Sequence, residues 1–155
     1  MTLNRLDLDV AAQAEKTLED LRAASRDGVP AEVFSRLKGL PVMLRTSGVL
    51  ATLAFYSAKS DPATKLGAAY RAVSAALHAQ LGAGLGMPLA RVELYKTLKQ
   101  QDTADLLKAF ARVEAYATWL RRLAEALEHE QNSKKPTGVS GIPPAEADEP
   151  EVSGG

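Results

Sequence analysis

The stretch from Thr103 to Gln131 carries the most restrictive pattern in this 155-residue chain. Its apolar residues follow a strict 4-3-4-3 spacing: Leu106, Phe110, Val113, Ala117, Leu120, Ala124 and Leu127. Steps of three and four place all seven side chains on one side of an α-helix. Asp102 precedes the stretch as an N-cap. Because such a seam is buried only against other helices, the pattern predicts a helical bundle.

A second stretch, Leu40 to Lys59, is read as a helix with two different faces. Its predicted core face contains Leu40, Met43, Leu44, Ser47, Leu50, Ala51, Ala54 and Ala58. On the opposite face Arg45, Thr52 and Lys59 recur every seven residues, with Val49 and Tyr56 beside them. A solvated face more often carries Glu, Lys and Gln. The pattern therefore predicts a helix that serves both the protein core and an external partner.

Capping and breaking residues divide the rest of the chain. A first helix is predicted from about Asp7 to Ser25 and a short second helix from Ala31 to Lys38. Gly39 and Pro41 interrupt the second helix, and Pro41 either begins the next helix or kinks one continuous helix. A third helix is predicted at 62–81, with Asp61 as its N-cap. A loop at 82–88 then leads to a short helix at 89–99.

These elements predict an all-α fold, a compact bundle of five to six mostly antiparallel helices in residues 1–131. Apolar periodicity stops at Asn132. Residues 132–155 are rich in Pro, Gly, Ser and acidic residues, which bury too little apolar surface to offset the entropy of ordering them. The sequence therefore predicts a disordered acidic C-terminal tail.

Composition narrows the function classes. The chain has no cysteine, which excludes disulfides and thiolate chemistry. No apolar run is long enough to cross a membrane, and the N-terminus lacks a signal-peptide layout, so a cytoplasmic protein with no membrane contact is expected. The net charge of zero conceals a segregation, because residues 33–122 hold thirteen basic and only five acidic residues. This central block favours an anionic partner, the alternative being that its cations simply balance neighbouring acids.

The long helix adds a basic face. Lys108, Arg112, Trp119 and Arg122 fall within about 80° around its axis, with Ala115 among them. This face is able to meet several phosphates in a row, and Trp119 to stack on a base or ribose or to pack against a neighbouring subunit. A tryptophan in the core with incidental basic neighbours is the alternative.

Catalytic and metal-binding constellations are missing from the sequence. The two histidines, His78 and His129, lie on different predicted helices without a second metal ligand at a suitable spacing. His78 is predicted to be a surface residue. A phosphotransfer histidine usually has a Lys or Gln about one turn away, and neither stands one turn from His78. We therefore expect a non-enzymatic protein with neither a metal nor a cofactor.

Two segments resemble a known family. The first is Leu40-Pro41 with Met43, Arg45, the run 48–55 and Lys59, and the second is the run 115–127, AYATWLRRLAEAL. Both are similar to segments of the small helical subunit of type III-B CRISPR effector complexes, the Cmr small-subunit family. Ser47 departs from the larger polar residue expected before Gly48, and the 82–88 loop and the acidic tail look like additions.

The resemblance implies a non-catalytic subunit of an RNA-guided antiviral ribonucleoprotein. In that family the small subunits stack head to tail beside the repeating backbone subunits, and the large polymerase-like subunit carries the other activities. The small subunits line the groove that holds the guide RNA and the target RNA, and cleavage belongs to the backbone subunits.

For this chain, the resemblance and the charge pattern together imply two sets of contact residues. RNA-phosphate contacts are expected at Arg45, Lys59, Lys108, Arg112 and Arg122. Subunit contacts or sugar stacking are expected at Val49, Tyr56 and Trp119. The alternatives are the small subunit of a type III-A complex and a helical adaptor that binds a protein without RNA.

Overall fold

A computed structural model describes residues 5–89 and 93–134 of the chain. The described residues contain six helices and no strand: α1 (Arg5–Ala23), α2 (Ala31–Ser47), α3 (Val49–Ala58), α4 (Lys65–Leu85), α5 (Leu94–Lys99) and α6 (Thr103–Ser133). The predicted all-α bundle is confirmed. The predicted tail at 132–155 lies largely outside the described residues, and α6 continues two residues past the predicted end at Gln131.

The long helix α6 is the centre of the bundle, with α1, α2 and α4 packed around it. The shorter α3 packs on α4 and on α2. Contacts between side chains fix the directions of the helices. Arg112 meets Asp9, and Tyr116 meets Thr17 further along, so α1 and α6 run in the same direction. The N-termini of both helices thus share one end of the bundle, called here the upper end.

The opposite, lower end is where α1 finishes and where α2 and α4 begin. The side-chain amide of Gln131, near the end of α6, accepts a hydrogen bond from the Val29 N–H and donates one to the Val29 carbonyl, both at 3.0 Å. Lys65, at the start of α4, pairs with Asp27. The close approach of Gly84 to Ala109 then shows that α4 runs upward and antiparallel to α6.

The core follows the predicted seam of α6. Val113, Ala117, Leu120 and Ala124 are fully buried, while Leu106, Phe110 and Leu127 pack against the core at its margin. Helices α1, α2 and α4 contribute the matching apolar faces, with Val10, Leu37, Leu40 and Leu77 among the residues that are completely enclosed. Amphipathic periodicity thus identified both the helices and most of the buried face.

Of the two alternatives for Pro41, a helix start and a continuous helix, the structure has the continuous helix, but the break at Gly48 was not predicted. Helix α2 runs through Gly39 and Pro41 without interruption and ends at Ser47. The chain turns at Gly48, whose φ of 89° is favourable only for glycine. The Gly48 N–H caps α2 at the Leu44 carbonyl, and the Gly48 carbonyl accepts the first hydrogen bond of α3 from Thr52. The predicted Leu40–Lys59 helix is therefore the corner of a helical hairpin.

Helix α4 differs from the prediction at both ends. It begins after Thr64, whose hydroxyl accepts a hydrogen bond from the Gly67 N–H, rather than at Asp61. It continues through Gly82 and Gly84, which were assigned to a loop, and ends at Gly86. A Cβ atom at Gly84 would lie 2.6 Å from the Ala109 Cα, so glycine here permits α4 to pack closely on α6. Close packing outweighs the low helix propensity of glycine.

Candidate nucleic-acid interface

Helices α2, α3 and α4 are almost free of negative charge. Between Val33 and Leu89 the sequence has six basic residues and a single acidic one, Asp61. Neither α3 nor α4 contains an acidic residue. The exposed cations of this segment therefore have few acidic neighbours on their own helices. We call the exposed surfaces of α2, α3 and α4, with the cations Arg36, Arg45, Lys59 and Arg71, the basic side. Arg36 and Arg45, nine residues apart, lie on opposite flanks of α2.

Arg45 and Lys59, two of the predicted RNA contacts, are both exposed on the basic side. Neither forms an ion pair within the described part of the chain. The reversal at Gly48 separates them, however, because Arg45 stands near the end of α2 and Lys59 directly follows α3. They do not form the predicted column two turns apart on a single helix.

The same reversal corrects the predicted faces of α3. Tyr56, expected at a subunit interface, is only 1% exposed, and Val49 is also buried. Thr52, placed with them on the outward face, is completely buried and donates its hydroxyl to the Gly48 carbonyl. The small side chains expected in the core, Ala51, Ala54 and Ala58, are exposed instead. A helical wheel drawn through residues 40–59 fails because it continues one helix across a turn.

Two of the cations, Arg36 and Lys59, lie against aromatic rings between α2, α3 and α4. The Arg36 Cζ lies 5.0 Å from the centroid of the Phe55 ring, and the Lys59 Nζ lies 5.4 Å from the same centroid. Arg36 Nε donates to the Tyr70 hydroxyl at 3.1 Å, and that hydroxyl donates to Glu32 at 2.9 Å. The charge of Arg36 is therefore held in place while its terminal nitrogens have no acceptor among the described residues.

Arg36 was missed as a site residue by sequence reasoning. The signal available in the sequence was the absence of any acidic residue from 33 to 60, a range that also contains Arg36 and Lys38. Lys38 differs from Arg36 because it forms an ion pair with Glu128 of α6 at 2.6 Å. Only the structure separates the cation that ties α2 to α6 from the one that stays outward.

Three tyrosines of this bundle, Tyr56, Tyr70 and Tyr116, have raised pKa values. Burial, reinforced by the neighbouring Tyr70, raises the pKa of Tyr56 above its usual range. Burial also raises the pKa of Tyr70, although the hydrogen bond from Arg36 opposes this. The pKa of the Tyr116 hydroxyl rises to about 12 for the same reason, despite its hydrogen bond with Thr17. These hydroxyls thus act as fixed hydrogen-bonding groups rather than as acids.

The basic face predicted on α6 is only partly available. Arg112 is 16% exposed, because its guanidinium pairs with Asp9 of α1 and donates at 3.0 Å to the buried Gln80 of α4. Its role in the structure is to join three helices, which corrects its assignment as an outward RNA contact. Lys108 and Arg122 remain exposed and have no ion pair in the described ranges.

Trp119 and Arg122 form a small outward group on α6. The Arg122 Cζ lies 5.6 Å from the centroid of the Trp119 ring, and the ring itself is half-buried. Arg122 lies about half a turn around the helix from the buried Val113, on the side turned away from α2 and α4. The two predicted basic faces therefore lie on different helices, Lys108 and Arg122 on α6 and Arg45 with Lys59 at the ends of α2 and α3.

The histidines offer little for catalysis. His78 is buried, and its Nδ1 lies 2.8 Å from the Ser74 carbonyl, which corrects its predicted surface position. His129 is exposed near the end of α6. Across residues 5–89 and 93–134, no three His, Cys, Asp or Glu side chains come together in a way that could hold a metal ion. The helices described in those ranges include none that is long and apolar enough to cross a membrane.

Comparison with protein families gives one match. Residues 9–127 fit the family described as CRISPR-associated protein (Cas_Cmr5). The match spans most of the chain, from the second turn of α1 to near the end of α6. Searches of curated proteins and of solved structures give no significant match. Proteins of the matched family are, in general, small non-catalytic subunits. The chain belongs to the Cas_Cmr5 family and is a small subunit of type III-B CRISPR complexes.

Proposed function

We propose that this subunit supports the guide–target RNA without cutting it, through cations on its surface, and stacks on further copies of itself. The observation that carries the RNA part is the basic side, where four exposed cations stand on three helices that contain only one acidic residue, Glu32. That carboxylate accepts a hydrogen bond from Tyr70. An anionic partner therefore meets a surface with little competing negative charge.

Short side chains around these cations fit a nucleic-acid backbone. The exposed residues of α3 and α4 are largely alanines, including Ala51, Ala54, Ala58 and Ala75. A surface with short side chains lets phosphates approach the helices, while Arg45, Lys59 and Arg71 extend around it. Lysine and arginine contacts of this kind hold a strand in position but read no sequence. This suits a subunit that must accept any guide.

The two basic surfaces are tested separately in the reconstituted complex. One variant combines Arg45→Ala with Lys59→Ala, and the other combines Lys108→Ala with Arg122→Ala. If about four phosphates are neutralised per subunit, log K falls against log salt with a slope near −3 for single-stranded RNA. We expect each pair of substitutions that removes two contacts to weaken RNA retention and to flatten the slope by about 1.4.

A matched control replaces two cations that are already paired, Lys16→Ala with Arg121→Ala. It removes the same charge and should leave the slope nearly unchanged. Full RNA retention by both test variants would remove the RNA part of the proposal. Binding of a protein partner with little salt dependence would favour the helical-adaptor alternative instead.

The stacking part rests on complementary features at the two ends of the bundle. Leu8, Tyr95 and Leu107 are large apolar side chains exposed on α1, α5 and α6, and α1 and α6 both begin at the upper end. At the lower end an apolar cavity of about 370 Å³ lies between α1 and α4, lined by residues that include Leu21, Ala68 and Ala72. Exposed apolar side chains at one end and an apolar cavity at the other would allow a head-to-tail contact that repeats instead of closing.

A further inference from the structure

We propose that the acidic C-terminal segment, residues 135–155, docks on the basic side of its own chain and competes there with RNA. The docking follows from charge and reach alone, whereas the competition rests on the RNA contact proposed above. The segment has one basic residue, Lys135, and four acidic residues within six positions: Glu146, Asp148, Glu149 and Glu151. It is thus the counterpart in charge of the surface formed by α2, α3 and α4.

The point at which the described chain ends favours this docking. Gln131 is fixed to Val29 by two hydrogen bonds, and Glu128 pairs with Lys38. The chain therefore leaves the bundle at the lower end, beside the start of α2. From Val29 to Arg36 is about 10 Å along the helix, and from Val29 to Arg45 about 24 Å, at 1.5 Å per residue.

The length of the segment matches these distances. Glu146 is the twelfth residue after Lys134. Twelve residue steps reach at most about 40 Å, at roughly 3.3–3.6 Å per residue, which exceeds both distances. The four carboxylates therefore sample the region of Arg36, Arg45 and Lys59 at an effective concentration in the millimolar range. A weak contact is well populated under these conditions.

The basic side offers charges that are free to receive a carboxylate. Arg36 is held by Tyr70 and Phe55 but keeps its terminal nitrogens outward, and Lys59 has no ion pair in the described residues. RNA phosphates would use the same donors. If the segment occupies them in about 70–90% of molecules, the apparent affinity for RNA falls roughly 3- to 10-fold. A single chain would then bind RNA weakly, and tight binding would need several arrayed subunits that contact the same RNA together.

The docking is measured on the full chain with a spin label. Because the protein has no cysteine, Val152→Cys places a single label near the four carboxylates. We expect paramagnetic broadening of amide signals in α2, α3 and the first half of α4. It should disappear at high salt and in a neutral variant with the substitutions Glu146→Gln, Asp148→Asn, Glu149→Gln and Glu151→Gln. Broadening that is absent, or confined to the region of Arg22 and Arg26, would overturn the docking.

The competition is measured as the affinity for a labelled single-stranded RNA. The neutral variant should bind roughly 3- to 10-fold more tightly than the unmodified chain. A control with the same change in net charge replaces four exposed acidic residues elsewhere: Glu15, Glu93, Asp105 and Glu114. It should gain much less affinity. Equal affinities of the neutral variant and the unmodified chain would overturn the competition. If the spin label broadens amide signals of the basic side but the unmodified chain and the neutral variant both fail to bind RNA, the docking is supported and the proposed RNA contact is refuted.

Discussion

Arg112 shows how a charge predicted for a ligand is instead used within the fold. Its guanidinium lies where α1, α4 and α6 meet, with Asp9 on one side and the buried Gln80 on the other. Lys108, one helical turn earlier, has the same charge and remains exposed. Two cations on one predicted face thus have different roles, because α1 and α4 reach only one of them.

Replacing Arg112 with alanine should therefore reduce stability. The substitution leaves the Gln80 side-chain carbonyl buried without its donor, so we expect a loss of about 1–3 kcal/mol in the free energy of unfolding. Lys108→Ala serves as the control and should stay within about 0.5 kcal/mol of the unmodified chain. Urea unfolding followed by circular dichroism measures both. Equal stabilities would show that the contacts of Arg112 contribute little to the fold.

Leu120 gives the corresponding prediction for the apolar core. It is completely buried in the seam of α6, so Leu120→Ala removes apolar contacts and leaves a cavity. We expect a loss of about 2–5 kcal/mol in the free energy of unfolding. Leu107→Ala is the matched control, because Leu107 lies on the same helix and is 62% exposed. A similar loss for both variants would contradict the assignment of the two faces.

At the scale of elements, local signals in the sequence located the helices but not the turn between α2 and α3. The ends of α1 and the start of α6 were predicted to within about two residues, because their apolar periodicity and caps agree. Pro41 and Gly39 look like breaking residues, yet α2 continues because its apolar face packs on α6. The turn is at Gly48, where φ is positive, whereas the backbone at Gly39 stays helical. Which of the two glycines forms the turn depends on where α3 must pack.

The site was predicted less completely than the fold, for the same reason. Arg45, Lys59, Lys108 and Arg122 were placed at the surface from the sequence, and the structure has them exposed. Tyr56 and Val49 were placed outward by a wheel that ignores the turn, and both are buried. Arg36 acquires its position from Phe55 and Tyr70 on other helices. A contact between distant segments leaves no periodic signal in either of them.

Two glycines in helices should respond in opposite directions to the same substitution. Gly39→Ala in α2 introduces a Cβ with no atom within 4 Å, so the gain in helix propensity should stabilise the protein by about 0.5–1 kcal/mol. Gly84→Ala in α4 forces α4 and α6 apart at Ala109, and we expect a loss of about 1–3 kcal/mol. Thermal unfolding of the two variants tests this pair. Stabilisation by both would show that α4 and α6 are less closely packed than described.

At the scale of the whole molecule, charge and apolar surface are distributed along different axes. The basic side runs along α2, α3 and α4, and the acidic residues collect on α1 and in the chain after residue 123. The exposed apolar residues and the apolar cavity lie instead towards the two ends. Contacts to copies of the chain through the ends would leave the sides free, so that stacked subunits extend one continuous basic surface along an RNA.

Head-to-tail stacking predicts a specific result when two blocked variants are mixed. Leu8→Glu with Leu107→Glu places charges on the upper end, and Ala68→Glu with Ala72→Glu places charges in the cavity at the lower end. Each variant alone should remain monomeric at concentrations where the unmodified chain associates, because burying an unpaired carboxylate is unfavourable. A mixture of the two retains one intact upper and one intact lower surface and should form dimers but nothing larger. Analytical ultracentrifugation distinguishes these species. A mixture that stays monomeric, or single variants that still form long assemblies, would show that copies of the chain meet through other surfaces.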